Sequence, residues 1–218
     1  MFRCICFLLF VLKFCSAQRF DAAQYPFPLS LEQSKRCNMR SASHVCDPDQ
    51  VLSEPDRYRL ENDLKQIGYK SKGTQGATQY CDTKGVQALL AISRQGPPDA
   101  ADQLSSLWKQ DEQCKKSIVF FFSANDHKLY YSGAEHSGLS QSDFNSIVAK
   151  YRSELDANHI TSALSGIFKE IASRGTQDTS GTPTRGGNYS IIYLPEFVKF
   201  LLPNCYVESI IELVYIVD

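Results

Sequence analysis

The chain has 218 residues, of which 43% are hydrophobic and 22% charged, and its formal net charge is −1. That length suffices for one domain with its own core plus appendages. A near-neutral balance leaves no electrostatic basis for binding nucleic acid or an anionic membrane surface, so partners must be recognised by shape and local chemistry.

Residues 1–17, "MFRCICFLLFVLKFCSA", carry one Arg, a short apolar run and small residues at 16 and 17. This is the pattern of a secretory signal peptide, cut after Ala17, and too short for a comfortable membrane span. Secretion makes disulfides the expectation for the five remaining cysteines, Cys37, Cys46, Cys81, Cys114 and Cys205. None shows the C-x-x-C spacing of a structural zinc site. Residues 18–43 have prolines but no periodicity, and read as an extended arm.

The stretch "HVCDPDQVLSEPDRYRLENDL", His44 to Leu64, places a short strand near Val45 and then Asp47-Pro48-Asp49. Asp47 and Asp49 could offer carboxylate oxygens to calcium, with Asp126 of a later turn, although no D-x-D-x-D-G loop with a distal Glu is present. Alternatively, Asp-Pro-Asp shapes a turn through side-chain to backbone hydrogen bonds. Ser53 then caps a helix with Pro55 in its first turn, and Leu60, Leu64 and Ile67 form its buried stripe.

Val86–Ile92 and Ser117–Ser123 are continuous apolar runs of strand length, as expected for strands covered on both faces. Between them Ala101, Leu104, Leu107 and Trp108 keep helical spacing, so the two strands should be parallel. "ANDHK" turns the chain into a hairpin partner at Leu129–Gly133. Ser140 and Asp143 open a helix whose stripe is Phe144, Ile147, Val148, Tyr151 and Leu155, and Ile160 to Ile171 forms a second. The predicted fold is a three-layer α/β/α sandwich over residues 44–174, with a small central mixed sheet and a C-terminal helix pair.

Residues 175–190 are a Gly/Thr/Ser linker that carries a glycosylation sequon at Asn188. The tail, 191–218, is hydrophobic but holds Glu196, Lys199, Glu208 and Glu212, which argue against a clean transmembrane helix. The four histidines, His44, His127, His136 and His159, fall in turns and helix ends. No Gly-rich phosphate loop or G-x-S-x-G motif is present. The short polar loop between Cys37 and Cys46 allows these two to pair. Cys81 and Cys114 each precede one of the parallel strands, which places both at one end of the sheet.

In order and spacing, "VCDPDQVLSEPDRYRLENDL", Trp108, "CKKSIVFFFSANDHKLYYSG" and the paired final helices resemble TPM domains. The cysteines and the "YPFP" arm narrow the resemblance to the secreted branch, the modulator of levamisole receptor family. It implies a non-enzymatic extracellular domain that acts as an auxiliary or modulatory partner of a cell-surface protein, a levamisole-sensitive acetylcholine receptor, usually from a C-terminal membrane tether. It also implies an alternative, a calcium-dependent acid-phosphatase-like enzyme, as suggested for a plant TPM relative. A further reading, a soluble secreted binding protein without a receptor, shares the domain and differs only in the tail.

Overall fold

A computed structural model describes residues 20–73 and 79–174. The signal-peptide, linker, Asn188 and tail expectations, and Cys205, lie outside these residues. The described chain forms β1 (Val45–Cys46), α1 (Glu54–Lys70), α2 (Tyr80–Thr83), β2 (Gln87–Ser93), α3 (Ala100–Trp108), β3 (Ser117–Ser123), β4 (Lys128–Gly133), α4 (Gln141–Lys150), α5 (Arg152–Asp156) and α6 (Ile160–Arg174).

The four strands make one mixed sheet in the order β1-β2-β3-β4. β1, β2 and β3 run parallel, and β4 returns antiparallel to β3. Because side chains alternate across a strand, the run Phe120-Phe121-Phe122 feeds two cores at once. Phe120 and Phe122 join Leu60, Leu64, Ile67, Phe144, Ile147, Leu164 and Phe168 on one face. Phe121 joins Ala100, Ala101 and Leu104 of α3 on the other. All three phenylalanines are fully buried, and truncating a core Phe typically costs about 3–5 kcal/mol. The layers are therefore helices, sheet, and then α3 with the segment that precedes β1.

That segment corrects the expectation of an extended arm. Residues 20–43 fold as successive turns, with Ala22, Cys37 and Met39 buried. The Phe20 ring meets Phe121 edge-on at 4.8 Å, and Tyr25 and Phe27 flank Trp108 with ring centroids 6.2 and 5.6 Å away. An aromatic-rich segment beside a sheet face that the short α3 covers only in part buries more apolar surface by folding back than by extending.

Both expected caps form, with the Ser53 and Ser140 hydroxyls accepting the amides of Asp56 and Asp143. The stripe from Phe144 to Leu155 is not one helix, however. It breaks at Tyr151 into α4 and α5. The cause lies in α6, where Gly166 leaves a notch that the Tyr151 ring occupies. A Cβ at 166 would meet Tyr151 Cε1 at 2.3 Å. Two further differences are local: α2 has no periodic signal in its four residues, and β2 lies one residue later than the apolar run.

Gly166→Ala should gain up to about 1 kcal/mol of helix propensity but lose more to overpacking, for a net destabilisation of about 1 kcal/mol in urea unfolding. The double variant with Tyr151→Ala should not show this overpacking penalty. A stabilised single variant would show that the notch does not hold the ring.

Candidate functional site

In open α/β sheets, ligand crevices form beyond the carboxyl ends of the parallel strands. Here that position is the exit of β1 and β2, where Asp47 and Asp49 lie. β1 has only two residues, too few to hold itself in a sheet, and polar networks fasten it on both sides.

Before β1, Glu61 of α1 accepts the Ser43 hydroxyl and, at 2.5 Å, the His44 amide. Its other oxygen pairs with Lys65 at 2.7 Å and faces His44 Nδ1 at 3.4 Å. Burial alone would raise the Glu61 carboxyl, but hydrogen bonds from His44, Lys65 and Ser43 overcome it and hold the group at about 2. After β1, the fully buried Asp47 accepts the amides of Val51 and Leu52, both at 2.9 Å, and faces Arg57 Nη1 at 3.5 Å. Burial pushes its carboxyl above the usual range despite these donors. Asp49 accepts the Ser93 hydroxyl and the Arg94 amide, both at 2.8 Å, and so ties the same turn to the end of β2.

The strand exit is filled by the chain itself. Leu90 N–H bonds the carbonyl of His44, and the next β2 donor on that side, Ile92 N–H, meets the Tyr25 hydroxyl at 2.8 Å. That hydroxyl lies 2.8 Å from the Cys46 carbonyl and 2.7 Å from the Ile92 carbonyl, and its single proton serves one of them at a time. Tyr25 thus stands as an inserted rung where β1 and β2 part. Burial, reinforced by Asp47 and Asp49, raises its phenol well above the usual value, so it remains a neutral donor.

The structure joins Cys37 to Cys46 and Cys81 to Cys114, with Cα separations of 4.3 and 5.2 Å. The first bond ties the Tyr25 segment to β1, and the second links α2 to the loop before β3. Asp126 lies in the β3–β4 turn and does not join Asp47 and Asp49 in one ligand set. Among the described residues no three His, Cys, Asp or Glu side chains are placed to hold a metal ion. Both oxygens of Asp47 accept backbone amides, and one oxygen of Asp49 accepts both Ser93 and Arg94. His44 belongs to the Glu61 network, whereas His136 and His159 are exposed. Trp108 is half-buried against the Tyr25 segment.

Tyr25, Arg57 and Glu61 escape sequence reading. Tyr25 sits in a stretch without period, and the two charged residues occupy positions of α1 that carry no apolar signal. The one available cue is the aromatic content of the "YPFP" segment.

These features define a small disulfide-braced α/β/α domain whose strand-end crevice is closed by its own N-terminal segment. Residues 20–127 match the family model described as Modulator of levamisole receptor-1, and through this domain the chain belongs to that family. The match begins at Phe20, so it includes the segment that closes the crevice. No curated protein shows significant similarity to the chain. Among solved structures, the N-terminal domain of a protein from P. gingivalis is similar at 11% identity and a TM-score of 0.45, over 56% of this chain and 75% of that one. The BA42 protein from the psychrophilic bacterium Bizionia argentinensis is similar at 10% identity and a TM-score of 0.42, over 58% and 83%. A Corynebacterium glutamicum N-terminal domain gives 8% and 0.37, over 65% and 86%. At these scores the likenesses carry no argument about function.

Two predictions test this site. Tyr25→Phe strips the partner from Ile92 N–H and should lower stability by about 2 kcal/mol, read as a urea midpoint shift at unchanged slope. A neutral substitution would remove the inserted rung from the account. The second concerns acid. Because the folded Glu61 lies near 2 against an ordinary value of 4.5, its contribution is present above the unfolded value and is lost as pH falls from about 4.5 to 2. Asp47, raised by burial, acts oppositely and loses stability as pH climbs above its ordinary range. Glu61→Gln should therefore flatten the loss between pH 4.5 and 2 by about 2 kcal/mol, a figure already discounted for solvent screening. An unchanged acid limb would contradict the network.

Proposed function

We propose that this domain is a non-enzymatic extracellular recognition module that binds a cell-surface protein and modulates it, as the family's description names for a levamisole receptor. The observation that carries this reading is the match of residues 20–127 to that family. Two structural features support it. Both disulfide pairs suit an oxidising compartment. The position where α/β domains place small ligands is filled by Tyr25, and the groups around it, Asp47, Asp49, Arg57 and Ser93, are engaged in holding β1 and the following turn. A domain built this way presents its outer surface to partners. The signal peptide would deliver it outside the cell, where it acts as a secreted protein or one associated with the membrane through its tail.

The test is co-expression of the full chain with a levamisole-sensitive acetylcholine receptor, with and without an added membrane helix at its C-terminus. Agonist-evoked current should rise at unchanged surface receptor number, and more so for the tethered form, whose local concentration is higher. If the tethered form left currents unchanged and co-purified with no receptor subunit, the reading would fail. It would fail equally if the purified protein released phosphate from p-nitrophenyl phosphate, with or without calcium, in a manner that Asp49→Asn abolished.

A further inference from the structure

The opposite end of the sheet, where β2 and β3 begin, carries a surface of a different kind. α1 ends there, and the chain re-enters against it so closely that a Cβ at Gly85 would come within 1.9 Å of the Gly68 carbonyl oxygen. The Ser71 hydroxyl accepts the Val86 amide at 2.7 Å, and the Cys81–Cys114 bond holds α2 to the loop before β3. This braced end displays Tyr69 and Tyr80, which are 60% and 63% exposed. Each ring has an ammonium over it, Lys72 at 5.0 Å from the Tyr69 centroid and Lys84 at 5.9 Å from that of Tyr80.

Charge here departs from that of the whole chain. The segments 69–73, 79–85 and 109–116 hold six lysines against three carboxylates, in a chain whose net charge is −1. One of the three, Asp111, is spent on Lys84, and its side chain is only 2% exposed. Lys115 pairs with Glu135. Lys70, Lys72, Lys109 and Lys116 have no carboxylate within ion-pair distance among the described residues, while Lys116 Nζ bonds the Lys84 carbonyl at 3.3 Å and so stays beside the pair.

We propose that this tyrosine–lysine end is a docking surface for an acidic segment of a partner protein. Unpaired lysines supply the charge complementarity, and tyrosines supply rigid amphipathic contact area at low entropic cost. The occupant is protein rather than membrane, because insertion at a bilayer surface draws on Trp, Phe or Leu. The exposed large side chains on these segments are tyrosines alone, with Leu31 and Leu107 elsewhere. The surface rests on the recognition role proposed above and assigns it a face.

The experiment uses the full chain and a fluorescein-labelled hexaglutamate peptide, read by anisotropy at low and high salt. Binding should weaken with salt, and Lys72→Glu combined with Tyr69→Ala should weaken it by about tenfold. The charge-matched Lys169→Glu, at an exposed position of α6, should leave it within about twofold of the parent. Equal losses in both variants would overturn the proposal by showing a general field instead of a surface. So would tighter binding to a heparin hexasaccharide or to phosphatidylserine vesicles than to the peptide. If the double variant lost the peptide but kept its receptor co-purification and current effect, the assigned face would be wrong while the recognition role stood.

Discussion

A two-residue strand cannot secure its place in a sheet by its own ladder, and the architecture of this domain is organised around that weakness. β1 leads into the main helix, so its position sets the position of α1, and α1 in turn packs on the sheet and on α6. Glu61 reaches back from α1 to the residues before β1, Asp47 reaches forward to the first turn before α1, and the Cys37–Cys46 bond anchors the strand from the side. The Tyr25 hydroxyl then bridges β1 to β2 where the two strands part. The Glu61, Asp47 and Tyr25 contacts satisfy buried polar groups that would otherwise cost about 1–3 kcal/mol apiece, while the disulfide constrains the chain covalently.

That solution has a functional consequence. The side chain that completes the ladder also stands at the carboxyl ends of β1 and β2, the place where open α/β sheets receive ligands. The carboxylates that would most readily suggest metal or acid–base chemistry are satisfied by backbone amides instead. What the domain offers outward is its surface, and one end of it, rich in lysine and tyrosine, is braced by the second disulfide. Membership of a family described by receptor modulation accords with a fold that spends its interior chemistry on rigidity.

Much of the sheet and helix order was legible because apolar period and caps are local signals. Phe120 to Phe122 announce a strand covered on both faces, and Ser53 and Ser140 stand where their helices begin. The aspartates at 47 and 49 were conspicuous, but their partners were not. Arg57 and Glu61 look like ordinary polar positions on a helix, and only the folded backbone brings the amides of residues 44, 51 and 52 to the carboxylates. Tyr25 was illegible for a related reason: its partners lie at Cys46 and Ile92, distant in sequence, and no local pattern marks a hydroxyl that will take a place in a ladder. The break at Tyr151 likewise depends on a glycine in another helix.

Native-state hydrogen exchange at the Ile92 amide bears most directly on the claim that residues 20–43 are part of the folded core and close the strand exit. If the Tyr25 hydroxyl is an integral rung, this amide should exchange only through global unfolding, with an opening free energy equal to that from urea denaturation and to that of Leu90 beside it. Exchange at Ile92 through a much cheaper local opening, with Leu90 still protected, would mean that the segment detaches from an intact domain, and the closed-crevice account would be contradicted.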